Sequence, residues 1–296
     1  MTIGGQAVIE GVMMRSPHAF TVAVRRGGKP DAEIALLKET ILPAGERFPL
    51  FKKKVLRGSV VLFEAMWLGI RALNFSANEA LEEENGKKEE ISPLAMAGTM
   101  VLALALALGI FLGLPLVITH FLGVKYAAFK GNVLFNLTDG ALRVTLFVGY
   151  ISGISLLKDI RRVFQYHGAE HKVIGAHEAG VPLTVENCRG YSCIHPRCGT
   201  SFLMVVIVLS ILLFSLVPAS WPLWAKALSR IVLMPLIAGL SYEFIKYSAT
   251  KRGNRIVDAF MLPGLLLQRI TTREPSDDQI EVAIKAMDEA LAMEPR

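Results

Sequence analysis

The residues best suited to chemistry stand close together in one stretch of the sequence. His167, Glu170 and His171 form an H-x-x-E-H pattern. On a helix, two histidines four residues apart lie on one face, with the glutamate beside them. Such a pair can bind zinc, and the carboxylate can serve as general base on water at the metal. This is the inverzincin protease spacing, although a polar helix end with interfacial histidines explains so short a pattern equally well.

Other side chains with metal-binding atoms gather in the same region. Four of the six histidines and all three cysteines fall between His167 and Cys198. Clustering of this kind favours a metal site over scattered polar residues. We therefore predict a zinc site in which His167 and His171 bind the ion together with Cys198 or His195.

Two carboxylates are candidates for the catalytic base. Glu170 lies within the motif itself. Glu243 lies near the end of a later apolar segment, where a carboxylate is costly unless it has a partner. Both are predicted as catalytic residues, because the ends of three helices can converge on one point.

The three cysteines do not form a recognisable zinc knuckle or disulfide framework. Cys188, Cys193 and Cys198 follow one another at C-x4-C-x4-C spacing, unlike the C-x2-C of zinc fingers. A disulfide between the first two is not expected in a reducing cytoplasm. Cys198 activated by His195 is a conceivable nucleophile, but no residue is identifiable that would orient the histidine, so a ligand role is preferred.

The elements that position these residues belong to a membrane protein. Hydrophobic residues make up 52% of the 296 residues, and mean hydropathy is +0.44. No charged residue occurs in the 29 residues from Ile91 to Thr119 or in the 28 from Cys198 to Ala225. A spanning helix needs roughly 20 apolar residues. Met1 to Ala19 lacks signal-peptide features. The net charge of +6 is attributed to basic loops at an anionic leaflet rather than to specific nucleic-acid binding.

We predict a mainly α, polytopic membrane protein with about four transmembrane helices, two interfacial or re-entrant segments and a small β-containing cap. The interfacial segments are Ser59–Phe75 and Ile256–Leu267. Asp139 and Arg143 are expected to pair at i,i+4, and Arg230 to snorkel. The four predicted spans lie within Ile91–His120, Val133–Leu157, Thr200–Leu216 and Ala227–Ile245.

Soluble segments flank the predicted spans. Phe20–Val24 and Glu33–Leu37 predict a hairpin in the cap, and Ser276–Met293 predicts an amphipathic helix that begins with an N-cap serine. Six Lys and Arg residues lie in the connector from Lys158 to Arg197. By the positive-inside rule, the connector and both termini are cytoplasmic, at a bacterial inner membrane. The predicted divisions are 1–58 (cap), 59–90 (interfacial helix and linker), 91–157, 158–199 (connector), 200–246 and 247–296.

Several motifs resemble those of the bacterial YqhQ-like membrane family. They are Gly4–Arg15 (GGQAVIEGVMMR), Tyr166–Lys172 (YHGAEHK), Leu183–Asn187 (LTVEN), His195–Phe202 (HPRCGTSF) and Thr272–Pro275 (TREP). The resemblance extends over nearly the whole chain and implies a domain of unknown function described as a predicted metal-dependent enzyme. It implies site roles for His167, Glu170, His171, Glu186, His195 and Cys198, and leaves His177, Cys188 and Cys193 outside the motif.

Two classes of function remain open from the sequence. The first is a membrane-embedded, zinc-dependent hydrolase of unknown substrate. The second is a non-catalytic scaffold or membrane-protein biogenesis factor, in which any metal is structural and a translocon or ribosome is the partner. A transporter is disfavoured, because there is no internal repeat and there are few intramembrane charges. The lipid bilayer is the expected partner in every case, and a homo-oligomer stays open.

Overall fold

The N-terminal cap is a four-stranded antiparallel sheet. The computed structural model describes residues 3–43, 53, 56–80, 93–251 and 254–294. The strands lie in chain order: β1 (Gly4–Val8), β2 (Gly11–Arg15), β3 (Ala19–Arg25) and β4 (Ile34–Thr40). The predicted hairpin is confirmed as β3–β4. β1 and β2 form a further hairpin that the sequence pattern did not predict, because Gly4-Gly5 and Gly11 dilute its apolar alternation.

Helices cover both faces of this sheet. On one face, Val8, Phe20 and Val22 pack against α1 (Leu56–Ala80). On the other face, Val12, Met14 and Ala23 share a core with α5 (Lys158–Glu178) and α10 (Asp277–Ala292). β3 is buried along its whole length. The cap therefore joins three helices that are far apart in sequence.

Apart from the short helix α6 (Val185–Arg189), which packs on α5 and α10, the remaining helices form the apolar part of the molecule. They are α2 (Pro93–Leu108), α3 (Leu114–Lys125), α4 (Asn132–Ile154), α7 (Gly199–Phe214), α8 (Leu223–Thr250) and α9 (Arg255–Thr271). A π-helical turn, Gly109–Gly113, links α2 to α3. In the described parts of the chain, three helices are long and apolar enough to cross a membrane: 57–80, 97–125 and 223–248. A fourth candidate is the pair α4 and α5, which is bent by 100°.

The structure gives new bounds to three of the predicted segments. The H-x-x-E-H motif lies in a polar helix of its own, because α5 turns away from α4 at the bend. The predicted span Thr200–Leu216 is the 16-residue apolar helix α7, shorter than a typical crossing. Ile256–Leu267, predicted as an interfacial or re-entrant segment, belongs to the continuous helix α9, in which Gly264 lies close to Ser201 of α7.

The packing of α1 bears on how it meets the membrane. Its N-terminal end contacts α8, where Ser59 Oγ donates to the carbonyl of Pro235 at 2.8 Å. Its C-terminal half packs on the sheet through Leu68 and Ala72. The two ends of α1 therefore contact different parts of the molecule. By length and composition α1 is one of the three helices able to cross a membrane, and its predicted interfacial or re-entrant role stays a prediction.

A buried ionic cluster lies at the end of the apolar helices away from the cap. The predicted Asp139–Arg143 pair is present, with Nη2 and Oδ2 3.0 Å apart. Arg230 does not snorkel as predicted: it is buried and lies 2.9 Å from the same carboxylate. It also donates to the carbonyl of Leu112 in the π-helical turn at 3.2 Å. The cluster ties α4 and α8 to the helix formed by α2 and α3.

The predicted C-terminal helix docks on the cap. Ser276 and Gln279 form a capping box at the start of α10, so the predicted N-cap is confirmed. Its apolar face, which includes Ile280 and Met287, is fully buried. Thr21 Oγ1 in β3 donates to the carbonyl of Ala286 at 2.8 Å. This contact fixes α10 across the centre of the sheet.

Candidate metal centre

α5 is polar in composition and yet largely buried. Its middle turns carry Glu170 and His171, which are 4% and 2% exposed. A helix places residues three and four apart on one side, so His167, Glu170 and His171 point to the same neighbourhood. The sheet, α10 and the N-terminal end of α7 surround this helix. The sequence motif thus lies inside the protein rather than on a solvated helix end.

Two histidines and one cysteine converge at this point. Nε2 of His167 lies 3.1 Å from Sγ of Cys198. The rings of His167 and His171 are 4.4 Å apart between centroids. One donor atom from each of the three residues lies within 4.8 Å of the other two. The spacing allows a single ion to contact all three atoms.

Backbone carbonyls fix the tautomer of both histidines. Nδ1 of His167 lies 2.8 Å from the carbonyl oxygen of Thr271, and Nδ1 of His171 lies 2.5 Å from that of Cys193. A carbonyl only accepts, so each Nδ1 carries a proton, and in the neutral ring Nε2 then presents a lone pair. Metal-binding histidines are usually oriented in this manner.

The lone pair of His171 has no hydrogen-bond partner in the part of the chain that the structure describes. Its Nε2 is buried and has no hydrogen bond to any residue that the structure describes. Burial lowers the pKa of this imidazole to about 3, assisted by nearby His167, so the ring is neutral. A buried polar atom without a partner requires an explanation such as an ion. A neutral imidazole aimed at a second imidazole and a thiol fits zinc, which binds nitrogen and sulfur.

Cys198 begins the helix α7. Its sulfur accepts a hydrogen bond from the backbone N–H of Thr200 at 3.4 Å, and the Thr200 hydroxyl lies 3.2 Å away. Burial raises the pKa of the thiol, while these hydrogen bonds and one from the backbone of Ser201 oppose that change. The positive end of a helix also favours a thiolate. The N-cap position therefore suits Cys198 to bind a cation.

Glu170 is held between the histidines and the first strand. The backbone N–H of Gly5 in β1 donates to its carboxylate. Burial raises the pKa of Glu170 to about 8, and the neighbouring His167 opposes this rise. A Cβ on Gly5 would lie 2.7 Å from the Met13 carbonyl oxygen and 2.8 Å from Cγ of Glu170. Only glycine lets the strand approach this closely.

His195 lies beside the cluster without joining it. Its ring centroid is 5.7 Å from that of His171. Its Nε2 lies 3.4 Å from Glu178, and its Nδ1 accepts from the N–H of Arg197 at 3.4 Å. Gln268 binds both the N–H and the carbonyl of His195. The predicted ligand role of His195 stays a prediction, and it requires the ring to turn.

The side chains of the other predicted or discussed residues have different surroundings. The two oxygens of Glu243 accept from Arg57 of α1, at 2.6 and 2.5 Å. Its catalytic role stays a prediction that this geometry does not favour. Cys188 is buried in the core beside α10, and Cys193 Sγ lies 3.3 Å from Glu274. Glu186 lies in the short helix α6.

A cavity of about 810 Å³ opens onto the cluster. His167, Glu170, His171 and Cys198 line its polar end. Its other walls come mainly from apolar residues of α1, α5 and α7, together with β1 and the last turns of α8. The volume lies in the range of about 300–1,000 Å³ that is usual for small-molecule sites. A bound ion would have a position open toward this space.

Comparison with known proteins places the sequence in a family. A family model described as "Protein of unknown function (DUF1385)" matches residues 54–293. The chain belongs to the DUF1385 family. It is also 36% identical over 304 residues to the "Uncharacterized protein YqhQ" of Bacillus subtilis (strain 168), covering 98% of this chain and 92% of the relative. The resemblance to the YqhQ-like family is thereby confirmed. No solved structure matches the chain.

Sequence reasoning missed the residues that support the cluster. Gly5, the Thr271 carbonyl and the Cys193 carbonyl act through the backbone, so their side chains gave no signal of chemistry. Gly168 is a further case, because a Cβ there would lie 2.1 Å from the carbonyl oxygen of Arg273. The available signal was position: Gly5 and Gly168 lie inside, and Thr271 lies just before, the motifs that carry the family resemblance.

Proposed function

We propose that this protein is a zinc-dependent hydrolase that works at the membrane surface, with its site on the cap side of the apolar helices. The observation that carries the proposal is the convergence of three donor atoms, with both histidines fixed in the tautomer that binds a metal. His167, His171 and Cys198 would hold the ion. Three protein ligands with an open position are typical of catalytic zinc sites, whereas structural sites have four.

The residues around the ligands suit hydrolysis. Zinc supplies a Lewis acid that acidifies water and polarises a carbonyl or phosphoryl group. Glu170 is the only carboxylate among the described residues lining the cavity, and it accepts a proton from water and returns it to the leaving group. The N–H of Gly5 orients this carboxylate. The apolar walls exclude bulk water and hold the substrate.

The test begins with metal content. Full-length protein purified in detergent without chelator should contain about one zinc per chain, and His167→Ala/His171→Ala should contain none. His177→Ala is the matched control, since it removes a histidine of the same helix outside the cluster. Cobalt substitution adds a second readout, because a thiolate ligand gives a charge-transfer band that Cys198→Ser removes.

Hydrolysis is tested with a panel of chromogenic esters, phosphoesters and peptides. We expect turnover of at least one class, lost on zinc removal and restored by zinc. Glu170→Gln should keep the metal, and its turnover rate should fall about 10²–10⁴-fold, the usual contribution of a general base. Unchanged turnover in Glu170→Gln would exclude this carboxylate as the general base. Wild-type protein that contains no metal when purified without chelator would exclude a zinc-dependent hydrolase.

The rival is a structural zinc site in a scaffold that binds the ribosome or translocon. The nearby His195 supports this alternative, because its ring, once turned, would provide a fourth ligand. The two readings differ in the cobalt spectrum, because a closed site does not respond to added anions such as cyanide, whereas an open position does. His195→Ala should keep the metal under our proposal and lose it under the rival.

The orientation of the protein is part of the same proposal. The basic connector supports a cytoplasmic position for the cap and for the site, at a bacterial inner membrane. Cysteine labelling of Ser220→Cys, between α7 and α8, should be possible from outside intact cells. Labelling of Lys29→Cys in the cap should require permeable cells. The opposite pattern would place the site on the outer face.

A further inference from the structure

The first strand of the cap has one edge with which no other described strand pairs. β1 lies at the edge of the sheet, and among the described residues only β2 pairs with it. Val8 pairs with Gly11 across a two-residue turn. In such a hairpin, Gly4, Gln6 and Val8 direct their backbone groups at β2, so Gly5 and Ala7 direct theirs outward. The hydrogen bond from the Gly5 N–H to Glu170 agrees with this alternation.

The cavity beside the zinc ligands runs along this open edge. Five consecutive residues, 3–7, line it. Side chains of a strand alternate between its two faces, so a cavity on one face would meet every second residue. Contact with consecutive residues is expected when the cavity follows the backbone edge instead. The cavity therefore presents an edge of β1 with which no other described strand pairs, as well as apolar walls.

The walls on either side of the edge are apolar. Val61, Leu62 and Ala65 face the cavity from α1. Phe164 of α5 and Phe202 of α7 face it from the other side. A strand that pairs with β1 would direct alternate side chains toward these two walls. Main-chain pairing with side-chain pockets on both faces is the arrangement by which proteins bind extended peptides.

The position of Glu170 relates this edge to the proposed chemistry. Its carboxylate accepts from Gly5 at the edge itself. A strand added to β1 would pass about 4.8 Å from the Gly5 backbone, the ordinary spacing between strands. Its backbone would thus run beside Glu170 and the three ligands. A hydrocarbon chain would use the apolar walls and leave the outward backbone groups of Ala7 without a partner among the described residues.

We infer that the substrate is an extended, apolar polypeptide segment that binds as an added strand beside β1. The inference rests on the proposed hydrolase function and makes the reaction peptide-bond hydrolysis. The oxygen of water joins the carbonyl carbon, and the C–N bond breaks. Glu170 takes a proton from the water and delivers it to the departing amine, so the products are a carboxylate-ended and an amine-ended peptide.

The decisive experiment is an N-methyl scan of a bound peptide. The probe is a short fluorescent peptide of leucine and valine with lysines at its ends, bound to the full-length Glu170→Gln variant in detergent. N-methylation removes one backbone donor at a time. Methylation at every second residue should weaken binding about five- to tenfold, the value of one hydrogen bond. Methylation at the alternate residues in between should change the affinity for the peptide less than about twofold.

Protein variants provide a second line of evidence. Ala65→Trp fills the cavity from α1 at a distance from the ligands and should abolish peptide binding while zinc content is unchanged. Met66→Trp is the matched control, since Met66 is exposed and does not line the cavity. Ala7→Pro removes the outward N–H of an edge strand, a position where proline is tolerated, and should weaken binding about tenfold.

The outcomes separate this inference from the proposed function. Weaker binding on N-methylation at every second residue, without bound metal or turnover, would support the peptide site and overturn the proposed hydrolase function. Zinc-dependent turnover of esters with no period-two pattern would keep the hydrolase and overturn the peptide. Displacement of the probe by a fatty acid, with uniform responses to N-methylation, would identify a lipid-chain site instead and overturn the inference.

Discussion

Replacement of Gly168 by alanine should damage both the fold and the metal site. The added Cβ would lie 2.1 Å from the carbonyl oxygen of Arg273, whereas real contacts of this kind do not fall below 3.0 Å. The segment that contains Arg273 must therefore retreat by about 0.9 Å (3.0 − 2.1). Its N–H donates to the carbonyl of Phe164, and the nearby carbonyl of Thr271 holds His167. The retreat stretches both bonds.

The magnitude follows from three contributions. Alanine favours a helix interior over glycine by about 1 kcal/mol. Overpacking costs about 1–3 kcal/mol, and weakening the two hydrogen bonds costs about 0.5–1.5 kcal/mol each. Gly168→Ala should thus lower the free energy of unfolding by about 1–5 kcal/mol. Loss of the carbonyl that orients a ligand should also weaken metal affinity about 10–100-fold.

Gly175→Ala is the matched control in the same helix. There the nearest atom to an added Cβ is Cδ1 of Tyr191 at 3.2 Å, a side chain that can shift slightly. The gain in helix propensity should offset the contact, leaving stability within about 1 kcal/mol of wild type. Cobalt affinity should be unchanged.

The assay combines apparent Tm in detergent with a cobalt titration followed by absorbance. The apparent Tm and the cobalt affinity should both fall for Gly168→Ala and stay close to the wild-type values for Gly175→Ala. Equal stability of the two variants, with equal cobalt affinity, would refute the reasoning. It would mean that the crossing of residues 271–273 over α5 does not position His167.

Three further perturbations test other parts of the molecule. Asp139→Asn leaves two buried arginines without their carboxylate and should lower the free energy of unfolding by about 3–5 kcal/mol. Size-exclusion chromatography would detect this as a loss of folded protein, and Asp159→Asn is the exposed control. Glu243→Gln should lower apparent Tm through its bond to Arg57 but leave zinc content and turnover unchanged; loss of turnover at normal zinc content would restore its predicted catalytic role. Although burial raises the pKa of Glu294, hydrogen bonds from the β2–β3 turn outweigh this and hold it below its ordinary 4.5. This contact therefore stabilises the docked α10 above about that pH and is lost as pH falls through the lower folded-state pKa. Hydrogen exchange in α10 should rise at acidic pH, and Glu294→Gln should remove that dependence.

Local patterns carried much of the information that the sequence held. The apolar runs predicted α2–α3 and α8, because a bilayer demands length and low charge within one segment. The H-x-x-E-H spacing predicted a shared helix face for His167 and His171. Cys198 followed from ligand type and from its position at the start of an apolar helix. Each of these inferences depends on residues that are near neighbours in sequence.

Contacts between distant segments could not be read in the same way. Gly5 and Glu170 are far apart in the chain, and the bond between them forms only because the sheet packs on α5. The choice between Glu170 and Glu243 was open for this reason. Arg57, the partner of Glu243, lies in a segment whose basic flanks indicated only an interfacial helix. A single sequence does not reveal such pairings.

The layout of the cap also imposes an order on biosynthesis. β3 is made before any of the apolar helices, and α10, which covers it through Ala286 and its neighbours, is made after all of them. The carbonyl of Thr271, which aligns His167, also emerges after α8, the last of the described helices long and apolar enough to cross a membrane. The ligands therefore cannot be aligned while the chain is still being inserted. A nascent chain would therefore lack the proposed hydrolase activity beside the insertion machinery, and the metal site would be complete only after the membrane helices are in place.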